Sequence, residues 1–300
     1  LDEALYSFRK NVQRFKRILR KIQPKAVFFT CYYYPQKMSL IVACEDLGIS
    51  SVDVQHGHQS KYHPMYGHWT RIPDGGYELL PDYFWVWSNI ERENNYTTRG
   101  HYSNNNSHLP IVGGYLFKQF FDNKREYFSD DHNLDRIKEI TKGYKKIILV
   151  LCTGEKLLTD LISNHVLQTV LKTEGKWLML VRLHPHQKDR LLRMETYLTE
   201  YGITNFEVEI ATDSTIVEVF ECSDVVITTH SSACLEALAL NLPVVITEPT
   251  GSDLYEDYIE KGRFFYADTV DYLSHLLENL DGKGKQRELG SPPRPVVDDA

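Results

Sequence analysis

No apolar run in the 300-residue sequence is long enough to form a membrane-spanning helix. The longest, such as Ile147 to Cys152, is six residues, where a span needs roughly 18 to 20. An excess of basic charge is also missing: Lys and Arg total 34 against 41 Asp and Glu, a net charge of −7. That balance excludes a dedicated nucleic-acid binder, because phosphate backbones demand a basic surface. Cysteine is sparse. Cys31, Cys44, Cys152, Cys222 and Cys234 are odd in number, widely spaced and mostly set among apolar neighbours, so they read as reduced core residues of a cytoplasmic protein. Neither a disulfide framework nor a metal cluster is expected. The sequence contains no G-x-G-x-x-G, no G-x-S-x-G and no C-x-x-C, which removes support for a dinucleotide oxidoreductase, an ordinary α/β hydrolase and a thioredoxin-like redox protein. Internal repeats of about 20 to 50 residues are absent too.

What is present is ordinary globular material, 42% hydrophobic and 25% charged, which is enough apolar mass for a sizeable core. At roughly 150 residues per domain the length predicts two domains. From Leu5 to Ile22 the apolar residues Leu5, Phe8, Val12, Phe15, Ile18, Leu19 and Ile22 recur at steps of three and four, the period of an amphipathic helix. The other face carries Arg9, Lys10, Arg14, Lys16, Arg17, Arg20 and Lys21, with Lys25 following and no acid among them. Such a face either solvates the helix or holds it on an anionic membrane surface. With no signal-peptide pattern, the chain begins directly in this helix, and it is expected to lack upstream sequence.

Short β-prone runs then alternate with helical segments. Strands are predicted at Ala26 to Thr30, Ser51 to Val54, Tyr83 to Trp87 and Leu109 to Val112, with a helix from Met38 to Leu47. This is half of a doubly wound domain, and a boundary is placed near residue 118. Beyond it, strands are predicted at 146–152, 177–183, 206–210, 224–229, 243–247 and 263–266. The intervening helices fall at 156–173, 187–200, 214–221, 232–240, 254–261 and 269–279. The predicted fold class is therefore α/β, with two Rossmann-like parallel units, 1–118 and 119–280. Residues 281–300, rich in Gly, Pro and charge, read as a disordered tail.

In open α/β sheets, ligands bind at the carboxyl ends of strands, and four of these exits are polar beyond what packing demands. Thr153-Gly154-Glu155-Lys156 is a small-residue turn with a cation, either an ordinary helix cap or a phosphate contact. In Arg182-Leu183-His184-Pro185-His186, His184 can donate to a phosphate oxygen, Arg182 adds charge and Pro185 fixes the turn. Thr228-Thr229-His230-Ser231-Ser232 presents hydroxyls that either cap the next helix or bind phosphate, and Glu236, one helical turn on, suits a ribose diol. The fourth exit, Gln55-His56-Gly57-His58, with His63, Tyr66, His68 and Trp69 close behind, reads as an acceptor loop. His56 is its candidate base, and the alternative is a structural loop of stacked aromatics. A metal there is not expected, because no second group of acids or thiols stands at ligand spacing.

Taken together, Ser223 to Ser232, Glu236-Ala237-Leu238, Leu242-Pro243-Val244-Val245 and Leu183-His184-Pro185 resemble the donor half of GT-B glycosyltransferases. They are similar to the His-Pro and Ser-Ser motifs of bacterial polysialyltransferases, capsule Kdo transferases and teichoic-acid glycerophosphotransferases. The Gln55-His56-Gly57 loop, with Leu80-Pro81-Asp82 and Trp87-Ser88, resembles the N-domain of bacterial surface-polysaccharide transferases (capsule, lipopolysaccharide or teichoic acid type). The resemblance spans roughly residues 24 to 280. It implies two Rossmann-like domains facing a cleft, with no metal or other cofactor and with the nucleotide sugar, CMP- or UDP-linked, as a substrate. His184 would stabilise or protonate the leaving phosphate, Thr153, Gly154, Lys156, Arg182, Pro185, His230, Ser231 and Ser232 would line the donor, and Glu236 would take the ribose. Gln55, His56, Gly57, His58, Tyr66 and Trp69 would face a glycan or lipid-linked glycan acceptor. The resemblance also implies a cytoplasmic enzyme, peripheral at the inner face of the membrane if residues 9–25 bind it. A complete N-domain of this family has more strands than the four found, so the acceptor domain is expected to be partial. No acid is singled out as base or nucleophile. Asp53, Asp74, Asp82 and Glu155 are the candidates, and inverting and retaining outcomes both stay open. A nucleotide-sugar 2-epimerase, a CDP-alditol phosphotransferase and a noncatalytic module of a polysaccharide-synthesis complex are the alternatives.

Overall fold

The computed structural model describes residues 2–60, 62–67, 79–99, 108–116, 118, 132–154, 157–173 and 175–280. The chain divides into two compact units, Leu1–Leu116 and Phe117–Ala300. Among the residues considered above, His68, Trp69, Asp74, Glu155, Lys156 and the tail 281–300 lie outside the described residues.

The first unit runs α1 (Asp2–Ile22), β1 (Ala26–Phe29), α2 (Pro35–Glu45), β2 (Ser50–Val54), β3 (Tyr83–Val86), α3 (Asn89–Arg99) and β4 (Leu109–Val112). Its four strands pair in parallel in simple chain order, β1-β2-β3-β4. Parallel neighbours require a crossover, which α2 and α3 supply between β1 and β2 and between β3 and β4. The apolar stripe of α1 buries Val12 and Leu19 against Ala43 and Cys44 of α2, because a helix with one apolar face gains only by covering it. On the sheet, Phe29, Ile41, Phe84 and Val86 form a core with Tyr32, Tyr66 and Leu80. Asp82 is a fastener within this frame. Its Oδ2 accepts from Ser51 N and Ser51 Oγ at 2.8 and 2.9 Å, locking the start of β3 to the start of β2. It therefore stands at the amino ends of the strands, away from their exits, and its candidacy as a base is overturned.

The second unit runs α4 (His132–Thr141), β5 (Lys146–Leu151), α5 (Asn164–Leu171), β6 (Trp177–Arg182), α6 (Leu191–Glu200), β7 (Phe206–Glu207), α7 (Glu209–Asp213) and α8 (Ile216–Glu221). It continues through β8 (Val225–Thr228), α9 (Ala233–Ala239), β9 (Val244–Ile246), α10 (Pro249–Leu254), α11 (Glu256–Glu260), β10 (Phe265–Tyr266) and α12 (Val270–Asn279). All its strand pairs are parallel, in the order β10-β9-β8-β5-β6-β7. Counted from β5, this is the doubly wound order 3-2-1-4-5-6, whose winding reverses between β5 and β8. All six residues of β5 are buried, as the central strand of such a sheet must be, and full burial of each large apolar side chain contributes about 1.5–3 kcal/mol.

Several predicted elements come out differently, among them the helix expected over 187–200, which is a 3₁₀ helix at Pro185–Arg190 followed by α6. The strand expected at 206–210 stops at Glu207, because the Glu207 carboxylate accepts from Ile210 N at 2.8 Å and starts α7. The helix expected over 156–173 is a 3₁₀ turn at Leu158–Asp160 followed by α5. Helix 254–261 breaks at Tyr255 into α10 and α11, where the buried Tyr255 ring packs edge-on against Phe264.

Candidate functional site

The exits of β5, β6 and β8 are tied together by their own polar groups. Thr228 Oγ1 donates to Leu151 O at 2.8 Å and accepts from Ser231 N at 3.0 Å, so the ends of β5 and β8 are pinned side by side. Cys152 N donates to Arg182 O at 3.0 Å, and Gln187 Nε2 donates to Gly154 O at 3.2 Å. Gly154 lies flat against the His184 imidazole. A Cβ added there would stand 3.1 Å from Nδ1, so glycine is what permits the loop after β5 to approach the loop after β6 this closely.

His184 caps the 3₁₀ helix Pro185–Arg190, with Pro185 at its first position, and His184 Nδ1 accepts from His186 N at 3.3 Å. An imidazole that accepts at Nδ1 carries its proton on Nε2. Burial, and then the charge of His186, hold its pKa below the ordinary histidine value. At neutral pH His184 is thus a neutral Nε2–H donor. The hydroxyl of Ser232, at the cap position of α9, makes no capping bond and is exposed. The cap reading therefore does not account for Ser232.

Among the described residues, the loops after these strands hold buried polar atoms without a hydrogen-bond partner: Thr153 Oγ1, Gln187 Oε1 and Thr229 Oγ1. Their residues are only 7%, 1% and 2% exposed. Orphaned polar atoms are costly in a core and uncommon there. Three of them lie on the loops that leave β5, β6 and β8. Gln187 was invisible to sequence reasoning, because its role follows from the 3₁₀ turn that aims it back at Gly154. Thr229 sat inside a recognised cluster, but strand alternation gave no sign that its hydroxyl would be left unpaired.

Arg182 is engaged elsewhere. Its Nη1 donates to Ala211 O and Ser214 O at 2.6 and 2.7 Å, which holds the end of α7 to β6. Burial lowers its pKa, and the carboxylates of Glu236, Glu218 and Asp213 oppose that shift. Glu236 therefore lies within electrostatic reach of Arg182, which reduces the cost of a half-buried acid on α9. The His230 carbonyl accepts from Tyr255 Oη at 3.3 Å, and Gly251 approaches so closely that a Cβ there would stand 1.8 Å from Thr229 O.

In the first unit, the exit of β2 is a second polar cluster. Gln55 is buried and structural: Nε2 donates to Gly57 O at 2.9 Å and to Glu91 at 3.3 Å, and Oε1 accepts from Trp87 N at 2.7 Å. Glu91, 1% exposed, has its pKa raised by burial, against the hydrogen bond from Ser88. Asp53 is equally buried, and its Oδ2 accepts from Tyr66 Oη at 2.8 Å. His56 is exposed, and its Nε2 stands 3.1 Å from Cys31 Sγ. His58 is driven down to about 3 by burial and the charge of His63. His63 packs edge-on to Tyr66 at 4.8 Å, so the stacked-aromatic reading holds for part of this loop. Among the described residues, no group of three or more His, Cys, Asp or Glu is arranged to hold a metal ion.

No protein-family model and no curated protein matches the sequence. Solved structures do. A UDP-GlcNAc 2-epimerase from Methanocaldococcus jannaschii aligns over 91% of this chain and 74% of its own, at 12% identity and a TM-score of 0.62. The UDP-GlcNAc 2-epimerase of Neisseria meningitidis bound to UDP-GlcNAc covers 91% and 73%, at 12% identity and 0.57. The wall teichoic acid polymerase TagF covers 77% and 59%, at 18% identity and 0.49. The fold is the GT-B type: α/β, with two parallel Rossmann-like sheets. No helix among the described residues is long and apolar enough to cross a membrane.

Proposed function

We propose that the chain is an enzyme acting on a nucleotide sugar, with the nucleotide held at the exits of β5, β6 and β8. The observation that carries this is the set of buried Thr153, Gln187 and Thr229 atoms, unpartnered among the described residues, on the loops that leave the sheet around its reversal point. A crevice there is where doubly wound sheets take ligands. Solved neighbours that bind UDP or UDP-GlcNAc on the same fold support it.

The main reading is glycosyl transfer to a surface glycan. A departing nucleoside phosphate gains charge as its bond to the sugar breaks, and fixed donors aimed at that charge lower the barrier. His184, as a neutral Nε2–H donor, with Ser231, Ser232, Thr153 and Thr229, forms such a set. Glu236 is assigned to the ribose. In the first unit, His56 takes the acceptor hydroxyl's proton, and the basic face of α1 rests on an anionic membrane. A second reading, 2-epimerisation of the nucleotide sugar, is favoured by the identity of the structural neighbours at TM-scores near 0.6.

One experiment tests the site and a second separates the readings. A thermal-shift panel with CMP, CDP, UDP, GDP and dTDP is expected to single out one nucleotide. At 100 times its dissociation constant a ligand adds about 2.7 kcal/mol, a rise of several degrees that Thr229→Val or Glu236→Ala removes. No shift with any nucleotide overturns the assignment. With the matching nucleotide sugar, a transferase releases nucleotide only when an acceptor is supplied, whereas an epimerase converts the sugar with the nucleotide still attached.

A further inference from the structure

We propose that Cys31 and His56 form a reactive thiol–imidazole pair, a site of covalent modification by low-molecular-weight disulfides. The inference stands on the first unit alone and does not rest on the nucleotide-sugar reading. Cys31 occupies the turn between β1 and α2, and His56 follows β2, the strand paired to β1. The parallel register, with Phe29 opposite Asp53, brings the two exits level. Sγ then lies 3.1 Å from Nε2 and 3.7 Å from Nδ1 of the ring. Cys31 holds φ at +56°, a left-handed backbone that residues with a Cβ seldom adopt. Such strained positions recur where a side chain is presented for chemistry.

The remaining cysteines provide the contrast. Cys44, Cys152 and Cys234 are buried, and burial pushes their thiols up to about 11, 12 and 12, which keeps them protonated and inert. Cys222 is half-buried, as Cys31 is, and follows α8 in the second unit, where it serves as an internal control for access. The His56 ring is exposed and sets Nε2 against the thiol at 3.1 Å, within reach of its proton.

The step is thiol–disulfide exchange. Cys31 passes its proton to His56, and the thiolate attacks one sulfur of the disulfide. A Cys31–sulfur bond forms as the original S–S bond breaks. The departing thiolate leaves with the proton held by His56, so Cys31 is oxidised and half of the reagent is reduced. The adduct then covers His56 at the mouth of the β1–β2 exits.

Full-length protein incubated with oxidised glutathione, followed by intact-mass measurement and peptide mapping, tests the pair. The expected result is one adduct on Cys31 that is absent from Cys31→Ser and unchanged in Cys222→Ser. His56→Ala, with His56→Gln as a second variant should the first fail to fold, is expected to slow the Cys31 reaction by about threefold or more, because the group that takes the thiol's proton is gone. Iodoacetamide labelling of Cys222 keeps its rate in the same variants. Equal reactivity of Cys31 and Cys222, or a Cys31 rate indifferent to His56, overturns the proposal.

Discussion

His184 and the histidines after β2 share one property: burial keeps them neutral, with two distinct consequences. At His184 it fixes a donor. His184→Ala is expected to lower turnover by roughly 10²–10⁴-fold, the usual range for a positioned acid–base group, with the melting temperature unchanged, since the ring caps only a 3₁₀ turn. In the first unit it creates a pH dependence of stability. His56, His58 and His63 are depressed in the folded state, whereas the unfolded chain protonates near the usual 6.5. Their stabilising contribution is therefore present above pH 6.5 and is lost as pH falls toward the folded values, about 3 for His58. Glu91 has the opposite sign. Its raised pKa gives stability that is present below the ordinary glutamate range and lost as pH rises through the folded value. Chemical denaturation between pH 7 and 4 should show the first unit weakening, a slope that His58→Gln reduces and Glu91→Gln steepens. That His184, Ser231 and Ser232 follow strand ends was legible in the sequence, because each comes after a short apolar run closed by turn residues. The pairing of Cys31 was not. Its partner lies 25 residues away, and only the pairing of two strand exits joins them.

Among the elements, the central strands β5, β6, β8 and β9 were read to within a residue at each end, because continuous Val, Ile and Leu runs in a fully buried parallel sheet leave little choice of state. Two of the misread elements were changed by one side chain each: Glu207 ends β7 early, and Tyr255 stands where a predicted helix splits. Two glycines hold the exits in place. Gly154→Ala is expected to displace the His184 ring, at a contact of 3.1–3.4 Å. It should weaken nucleotide binding in the thermal-shift assay while the apo protein still melts cooperatively. Gly251→Ala meets the backbone at Thr229 O, which has no room to yield, so that variant should lose stability outright. The helix α8 begins with a complete capping box, Thr215 with Glu218. Thr215→Ala should cost about 1 kcal/mol by denaturant titration.

At the scale of the whole molecule, charge is distributed unevenly. The first 25 residues hold eight Lys and Arg against Asp2 and Glu3, a net of +6, which leaves −13 for the remainder. Most of the cations on α1 are exposed, alongside Leu5, Tyr6, Ile18 and Ile22, while Lys16 pairs with Asp46. If this face meets an anionic membrane, co-sedimentation with phosphatidylglycerol vesicles should be strong in low salt and weak at 0.5 M, because screening shortens to roughly 4 Å there. Replacing Arg14, Arg17, Arg20 and Lys21 with Gln should abolish it, and binding indifferent to salt or to those changes would exclude the contact.

The strand order of the second unit also governs how the chain matures. β5 finds β6 soon after both are made, but its other edge waits for β8, whose Thr228 meets Leu151 across 77 residues of sequence. A chain lengthening from its amino end at about 5–20 residues per second therefore spends several seconds with a strand whose six residues all end buried open along one side. During that interval the unpaired backbone of Lys146–Leu151 is a template for any passing strand. The bonds that later pin the exits of β5 and β8 together are the same ones that end this exposure, so ribosome-stalled chains halted before Val225 should aggregate or recruit chaperones, and chains halted well beyond Ile246 should not.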